Sequence, residues 1–387
     1  MERYLKRGVS AGKEDVHKAI ANMPKGLFEH SFCKILPDIV ANDADYCNIM
    51  HADTAGTKTS LAYLYWKETG KIDVWAGVVQ DAMVMNLDDL GAVGAVDNIL
   101  ISSTIGRNAK LIPSDVLTEI IQSSQAFIER MADQGIQLVH TGGETADVGD
   151  IVRTVDIGFT TFARIKRKDL VVNNIQHGAA IVGLQSFGQA TYENSYNSGI
   201  GSNGLTSARH DVLDKSYAEK YPESFDSKVP ADVAYSGSKK LTDQMMVGSK
   251  SYDVGRLLLS PTRTYLPVLK RIFQELKPVI QGVIHCTGGA QTKVKKFIDK
   301  KHIIKDDLFS PPPLFELIQK ESGTSWEEMY KVFNMGHRME FYLEHKYAEE
   351  LIAVANEFDI VAKIIGRVED SKTNKISIKG PEGLLTY

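Results

Sequence analysis

The chain has 387 residues, with 45 basic and 49 acidic side chains, a formal net charge of −4, 43% apolar and 24% charged residues. That is the composition of a folded chain long enough for two domains, and it excludes a single small module and a mainly disordered chain. The charge balance lacks the basic surplus that coats nucleic acid, no apolar run reaches the roughly 18 residues of a membrane span, and Cys33, Cys47 and Cys286 share neither disulfide-framework nor zinc spacing. The first residues, Met1-Glu-Arg-Tyr-Leu-Lys-Arg7, give no secretory apolar run. A soluble cytoplasmic protein with no nucleic-acid and no membrane partner is expected.

Residues 46–52 read as a short buried strand that runs into the turn Asp53-Thr-Ala-Gly-Thr-Lys58 and then a helix. An amphipathic stretch follows at about 72–95, then a strand at 97–102 and a helix at 113–134, spaced by Val116, Ile120, Ile121, Phe127 and Met131. The strand 136–140 meets a Gly142-Gly143 turn, and alternation from Ile151 to Ile165 predicts a longer strand. Basic residues Arg164, Lys166, Arg167 and Lys168 place a domain junction near 166, dividing the chain into 1–166 and 167–387. A buried strand at 179–184 opens the second half. From about 186 to 252 the polar composition predicts long loops that bury too little apolar surface to stay ordered without ligand. Regular structure resumes with a helix at 262–276, a strand at 279–286, a helix near 314–320, a strand at 339–343, a helix at 347–357 and a strand at 360–365. Leu138–Gly143 and Val283–Gly289 hint at an internal repeat, both being apolar segments that end in His, Thr and paired glycines.

Neither a Walker loop nor a dinucleotide-binding glycine fingerprint is present, which sets aside P-loop enzymes and dehydrogenases. What remains is a set of acids at predicted element ends: Asp53, Asp81, Asp88, Asp89 and Glu144. Several carboxylates suit a magnesium–triphosphate complex, although each alone also suits a helix cap or a solvated face. Gly56-Thr57-Lys58 offers N–H groups and an ammonium to phosphate, as Gly142-Gly143 beside Glu144 offers N–H groups. In the second half Asn203-Gly204, Arg209, Ser260-Pro-Thr-Arg-Thr-Tyr265, His285 and Asn334-Met-Gly336 put polar groups at turns, as a phosphorylated small molecule would require. His285 also reads as a satisfied core histidine. The lysines 293, 295, 296, 300, 301 and 305 read as a solvated helix face.

In this order the segments resemble the phosphoribosylformylglycinamidine cyclo-ligase family, the aminoimidazole ribonucleotide synthetases of purine synthesis. Asp53-Thr-Ala-Gly-Thr-Lys58 resembles the family's Asp-Gly-Val-Gly-Thr-Lys, and Gly142-Gly-Glu-Thr-Ala-Asp147 its Gly-Gly-Glu-Thr-Ala-Glu. The spacing of Asp81, Asp89 and Gly94-Ala95, then Ser202-Asn-Gly204, Arg209, Pro261-Thr-Arg-Thr-Tyr265, His285-Cys-Thr-Gly-Gly289, Glu328-Met-Tyr330 and Phe333-Asn-Met-Gly336, also follow the family order. Departures mark a divergent branch. Asp97 replaces a Pro, Gly201 stands where the family commonly has His, and Ala290 replaces a glycine; the loop Gly188–Gly199 is long, and the opening Arg7–Lys13 lacks paired aspartates. His210 is one loop residue that could substitute for the missing histidine.

The resemblance implies an α+β, two-domain chain: an N-terminal mixed α/β domain whose sheet pairs with a second subunit into a barrel, and a C-terminal α/β domain. It implies a homodimer that uses ATP and Mg2+ to close the ring of formylglycinamidine ribonucleotide through an iminophosphate. Asp89, His285 and Lys58 are then the catalytic candidates. Asp53, Gly56, Thr57, Lys58, Asp81, Asp89, Gly142, Gly143, Glu144 and Thr145 bind nucleotide, and Asp53, Asp81, Asp89 and Glu144 hold metal. Ser202, Asn203, Gly204, Arg209, Thr262, Arg263, His285, Asn334 and Gly336 meet substrate. Competing readings are another ATP enzyme of the superfamily, of the selenophosphate synthetase or thiamine-monophosphate kinase type, and a non-catalytic nucleotide-binding paralogue. No cysteine precedes Cys33, and the chain given ends in Tyr387 rather than a reactive cysteine, which disfavours the selenophosphate and hydrogenase-maturation types.

Overall fold

The computed structural model of the chain describes residues 2–9, 18–20 and 22–387, so the Gly12-Lys13 pair lies outside the described residues. Alternation along the strand Tyr46–Thr54, where Cys47 and Ile49 are buried and Met50 is exposed, marks a sheet covered on one face. That strand is β2, after β1 (Ile35–Pro37). With β3 (Ile99–Arg107), β4 (Leu138–Asp147) and β5 (Val155–Lys166) it forms a five-stranded sheet in the order β1-β2-β5-β3-β4, antiparallel except for β3–β4.

The helix Val74–Gly91 packs on the covered face against β2 and β5, flanked by the helices Lys58–Thr69 and Ser114–Asp133. The amphipathic stretch expected at 72–95 is therefore a central helix: 14 of its 18 residues are buried, leaving no solvated face. A Cβ on Gly91 would stand 2.6 Å from Leu269 Cδ1, so this glycine lets the helix end lie directly against the helix Leu266–Leu276 of the second half. The expected Gly-Gly turn is also corrected. β4 runs straight through Gly142 and Gly143, and the two glycines absorb a bulge opposite Ser103, where a Cβ on Gly143 would be 2.2 Å from the Ser103 carbonyl oxygen.

β6 (Ala179–Gln185) begins the second half, followed by a small hairpin of β7 (Gln244–Val247) and β8 (Lys250–Asp253). The main sheet adds β9 (Ile280–His285), β10 (Lys301–Lys305), β11 (His337–Glu344), β12 (Ala362–Asp370), β13 (Lys375–Gly380) and β14 (Gly383–Thr386). Its order is β14-β13-β10-β12-β6-β11-β9, antiparallel except for β10–β13. Leu269 and Ile272 of the helix Leu266–Leu276, with Leu351 of the helix Ala348–Asn356, share a core with Val182, Val283 and Phe341 of this sheet. The two repeat-like segments are not equivalent. Leu138–Gly143 lies within β4, whereas Val283–Gly289 leaves β9 at His285 and turns through left-handed Gly288 and Gly289.

The polar region 186–252 is more packed than its composition implies. Tyr192, Ile200, Leu205, Val212, Tyr217, Tyr221, Tyr235 and Leu241 are all buried, so the premise of a loop too poor in apolar surface to order itself does not hold. The lysine cluster also divides. Lys295, Lys296 and Lys300 are exposed, but Lys305 is fully buried, donating to Glu340, to the Gln291 carbonyl at 2.8 Å and to Gln291 Oε1 at 2.9 Å. Burial opposes the Glu340 charge, yet Lys305 and His337 outweigh it and hold the carboxyl at about 2.

His210 is equally internal. It is 1% exposed, accepts the Tyr235 N–H on Nδ1 at 3.1 Å and packs against Phe225 and Tyr235, so it does not replace a site histidine. Burial, reinforced by the charges of Arg209 and Arg7, pushes its pKa down to about 2. The unfolded chain therefore binds a proton that the folded chain refuses; this contribution is complete above about pH 6.5 and is lost as pH falls toward 2. By pH 5 the loss amounts to about 2 kcal/mol. His210→Gln, measured by urea unfolding at pH 7.5 and pH 5, is expected to flatten the pH dependence by about that amount; an unchanged slope would contradict a buried neutral ring.

Candidate active site

Residues 51 and 53 point to the covered face of the N-terminal sheet, where the last turn of the helix Val74–Gly91 presents Asn86 and Asp89. His51 Nδ1 donates to Asn86 Oδ1 at 2.9 Å, because the Asn86 amide is oriented by donating to the Ala82 carbonyl at 2.9 Å. His51 Nε2 lies 3.1 Å from Asp89 Oδ2. Both ring nitrogens thus face acceptors. Burial works against the charged ring, but Asp89, aided by Asn86 and Asp53, holds its pKa at about 9, making His51 an imidazolium at neutral pH.

The other Asp89 oxygen accepts from His285 Nδ1 at 2.6 Å. Arg338 Nε donates to His285 Nε2 at 3.1 Å, since a guanidinium can only donate. Burial raises the Asp89 pKa, but the bonds from His285 and His51 outweigh it and keep the carboxylate ionised far below the ordinary range. His285, an expected catalytic and substrate-contact residue, is fully buried with both nitrogens engaged and orients Asp89.

Lys58 departs further from expectation. It is fully buried, with Nζ 2.9 Å from both Asp81 oxygens, 2.6 Å from the Ser260 carbonyl and 3.2 Å from the Gly201 carbonyl. An ammonium has three protons, so this one has none left for phosphate. Asp81 also accepts from Thr262 N at 2.7 Å and Thr262 Oγ1 at 2.5 Å. The Lys58–Asp81–Thr262 unit is a brace between the two halves of the chain, not a phosphate clamp.

The four expected metal ligands do not converge. Asp53 shares a row across the sheet with Phe159, Ser103 and Gly143, whereas Glu144 shares the adjacent row with Thr104, Gly158 and Thr54 and so points to the opposite face. Among the described residues, the set whose ligand atoms lie within 4.8 Å of one another is Cys286, His337 and Glu340, and that carboxylate is already committed to Lys305. Asp53 and Asp89 are what remains on one face. Two carboxylates with phosphate oxygens and water are an ordinary magnesium set, so these residues fit the ion. Gly56 and Thr57 open the helix Lys58–Thr69 toward solvent, and a Cβ on Gly56 would meet nothing within 4 Å, which leaves room for phosphate there. Glu144 and Thr145, with Gly142 and Gly143, are exposed on edge strand β4.

Several expected substrate contacts are scaffold. Arg263 is 1% exposed and binds Glu193 through Nε at 3.0 Å and Nη2 at 2.6 Å, which ties down the long loop. Arg209 is buried on the Ser224 carbonyl and Tyr235 hydroxyl. Asn334 holds the Gly199 carbonyl at 2.7 Å and accepts from Ser186 Oγ at 2.9 Å, while Gly336 adopts the left-handed φ of +110° behind it. Gly204 is required twice, by a φ of +81° and by a Cβ position only 2.3 Å from the Phe333 ring. Ser202 and Asn203 stay half-buried at the mouth of the loop. The residues missing from the sequence expectation are His51, Asn86 and Arg338. Strand periodicity carried the signal for the first, since it lies two residues before Asp53 on the same face.

Residues 35–165 match the family model described as AIR synthase related protein, N-terminal domain, and residues 176–379 match its C-terminal domain. The chain belongs to the AIR synthase related family. A phosphoribosylformylglycinamidine cyclo-ligase from Methanococcus maripaludis is 30% identical over 382 residues, covering 96% of this chain and 93% of the relative. One from Methanocaldococcus jannaschii is 29% identical over 329 residues, covering 84% and 79%. Among solved structures, phosphoribosylformylglycinamidine synthase II from Thermotoga maritima superposes with a TM-score of 0.57 at 11% identity, over all of this chain and 50% of that one. The T. maritima protein complexed with ADP gives 0.56 at 12% identity, again over 50% of its length. The chain thus spans about half of those structures, and at such identity they establish the shared fold alone. The AIR synthase fold explains why the site lies where the two halves meet: helix Val74–Gly91 brings Asp81 and Asp88 to the segment Ser260–Tyr265 and Asp89 to His285. There Thr264 Oγ1 donates to Asp88 at 2.8 Å, and burial raises the Asp88 pKa despite Arg338 nearby. Among the described residues no helix is long and apolar enough to cross a membrane.

Proposed function

We propose that this chain is an ATP-dependent phosphoribosylformylglycinamidine cyclo-ligase of the cytoplasm, with residues 1–166 as the ATP-binding and dimerisation domain and 167–387 as the C-terminal domain. The observation that carries this reading is co-linearity: relatives of that name align over 96% of this chain and 93% of their own length. The formamide-type oxygen of formylglycinamidine ribonucleotide leaves poorly. ATP phosphorylates it to an iminophosphate, an amidine nitrogen attacks that carbon, and the C–O bond breaks to release phosphate as the imidazole ring closes. Asp53 and Asp89 are the residues to hold magnesium, which when bound neutralises phosphate oxygens. His51 bridges Asp89 and Asn86 beside them, and His285, held by Arg338, orients Asp89. Gly56 and Thr57 receive phosphate at the helix start, and Ser202 and Asn203 face the substrate.

An aminoimidazole-ribonucleotide-requiring purine auxotroph tests the reading. Growth on this chain is expected; no growth with the protein folded and abundant would contradict it.

A homodimer belongs to the same proposal. On the outer face of the first sheet, Met50, Phe162, Leu100 and Val139 form one cross-strand row, with Met50 65%, Leu100 42% and Val139 40% exposed. An apolar stripe across four strands is costly to leave in water and suits the sheet of a second copy. Light scattering at micromolar concentration is expected to give a dimer mass, and Leu100→Asp a monomer; a wild-type monomer would remove this part of the proposal.

A further inference from the structure

Arg338, on β11, satisfies two of its three guanidinium nitrogens. Nε donates to His285 Nε2, and Nη2 donates to the Arg263 carbonyl and lies 3.5 Å from Asp88. Nη1 has no partner, although the residue is only 3% exposed. An unpaired buried donor on a charged group is expensive, so such an atom calls for an acceptor.

Because residue 201 is glycine, a methyl-sized space is left beside Nη1. A Cβ there would stand 3.4 Å from Arg338 Nη1 and 3.7 Å from Thr262 Oγ1. Gly201 has a φ of +70° and Gly204 of +81°, bracketing the half-buried Ser202 and Asn203. Lys58 Nζ holds the Gly201 carbonyl from behind. Two buried cations, Lys58 and Arg338, pair with two buried carboxylates, Asp81 and Asp88, and this leaves one donor, Arg338 Nη1, and one acceptor, Asp81 Oδ2, without a hydrogen-bond partner. A guanidinium never accepts, so the occupant must bring an oxygen acceptor, and guanidinium suits phosphate best.

We propose that Arg338 Nη1, facing the gap left by Gly201, is an oxyanion subsite that receives a phosphate oxygen of a bound substrate. Access requires the loop Gly201–Gly204 to shift and the Lys58 contact to the Gly201 carbonyl to lengthen. The proposal rests on the cyclo-ligase reading for the identity of the ligand but not for the existence of the subsite. The oxygen comes either from the terminal phosphate of ATP or from the ribose phosphate of the second substrate, and separate KM values distinguish the two sources.

The test uses the full-length chain and two substitutions. Arg338→Met keeps the volume and removes the donor; Gly201→Ala keeps Arg338 and places a methyl 3.4 Å from Nη1, and because Ala is strained at a φ of +70° its melting temperature is measured beside its binding. Inorganic phosphate is titrated by calorimetry, and KM for ATP and for formylglycinamidine ribonucleotide is measured alongside kcat. The expected result is phosphate binding by the wild type that both variants lose, with a rise of about tenfold or more in one KM, the size of one lost charge-assisted hydrogen bond. A rise for ATP assigns the terminal phosphate, and a rise for the other substrate assigns the ribose phosphate. Arg338→Lys is expected to recover part of the binding. If Arg338→Met fails to fold, Gly201→Ala decides alone. A folded Gly201→Ala protein with unchanged KM values and unchanged phosphate binding would overturn the subsite. A wild type that binds phosphate through Arg338 yet does not turn over would leave the subsite standing and reject the cyclo-ligase reading.

Discussion

Asp89→Asn is expected to lower ATP-dependent turnover by roughly 10²–10³-fold, the loss typical of removing one preorganised charge-stabilising group. The chain should stay folded. The carboxylate stands between His51 and His285, 3.1 Å from one ring and 2.6 Å from the other, and in the proposed function it holds magnesium with Asp53. An amide keeps the volume and one acceptor oxygen but brings an N–H against a ring N–H on one side. Steady-state ADP release together with circular dichroism checks both halves of the expectation. Turnover within about threefold of wild type would remove Asp89 from the reaction.

Lys58→Met is expected to act on stability first. Removing one partner of a buried ion pair leaves the Asp81 charge without compensation and costs about 3–5 kcal/mol. Burial already lowers the Lys58 pKa against the pull of Asp81, the signature of an ammonium held in the interior. Thermal unfolding should drop by roughly 10 °C in a domain of this size. Lys58→Met with Asp81→Leu should recover much of that loss, since a buried pair replaced by apolar groups is often near neutral. A phosphate-binding lysine predicts the reverse: an unchanged melting temperature and a raised KM for ATP. The melting curve of the single variant separates the two.

Lys58 also shows where the sequence misleads. Gly56-Thr57-Lys58 has the residue types of a phosphate loop, and nothing local says that the side chain turns inward. Its partners, Asp81, Gly201 and Ser260, are brought to it only by the tertiary fold. Polar residues at turns are ambiguous for the same reason: Arg263 and Asn334 read as ligand contacts but hold a loop, because buried carbonyls at turns need donors as much as a substrate does. The segment from β2 into the helix Lys58–Thr69 was more legible, since an apolar run, a glycine turn and a helix follow from local pattern alone, whereas the next stretch read as amphipathic and is a buried helix. β10 and β13 were not. Lys301–Lys305 alternates within a charged run, so its strand character was hidden until Ile303 and the buried Lys305 found β12 and β13. His51 and Arg338 are brought to Asp89 and His285 only by the tertiary fold, so no local pattern singles them out.

The most direct measurement is a turnover assay on the purified chain with formylglycinamidine ribonucleotide, ATP and magnesium. Aminoimidazole ribonucleotide, ADP and phosphate are quantified together. The cyclo-ligase account predicts all three in equal amounts, dependent on both substrates. ADP released without aminoimidazole ribonucleotide, or no turnover by a folded protein that binds ATP, would contradict it.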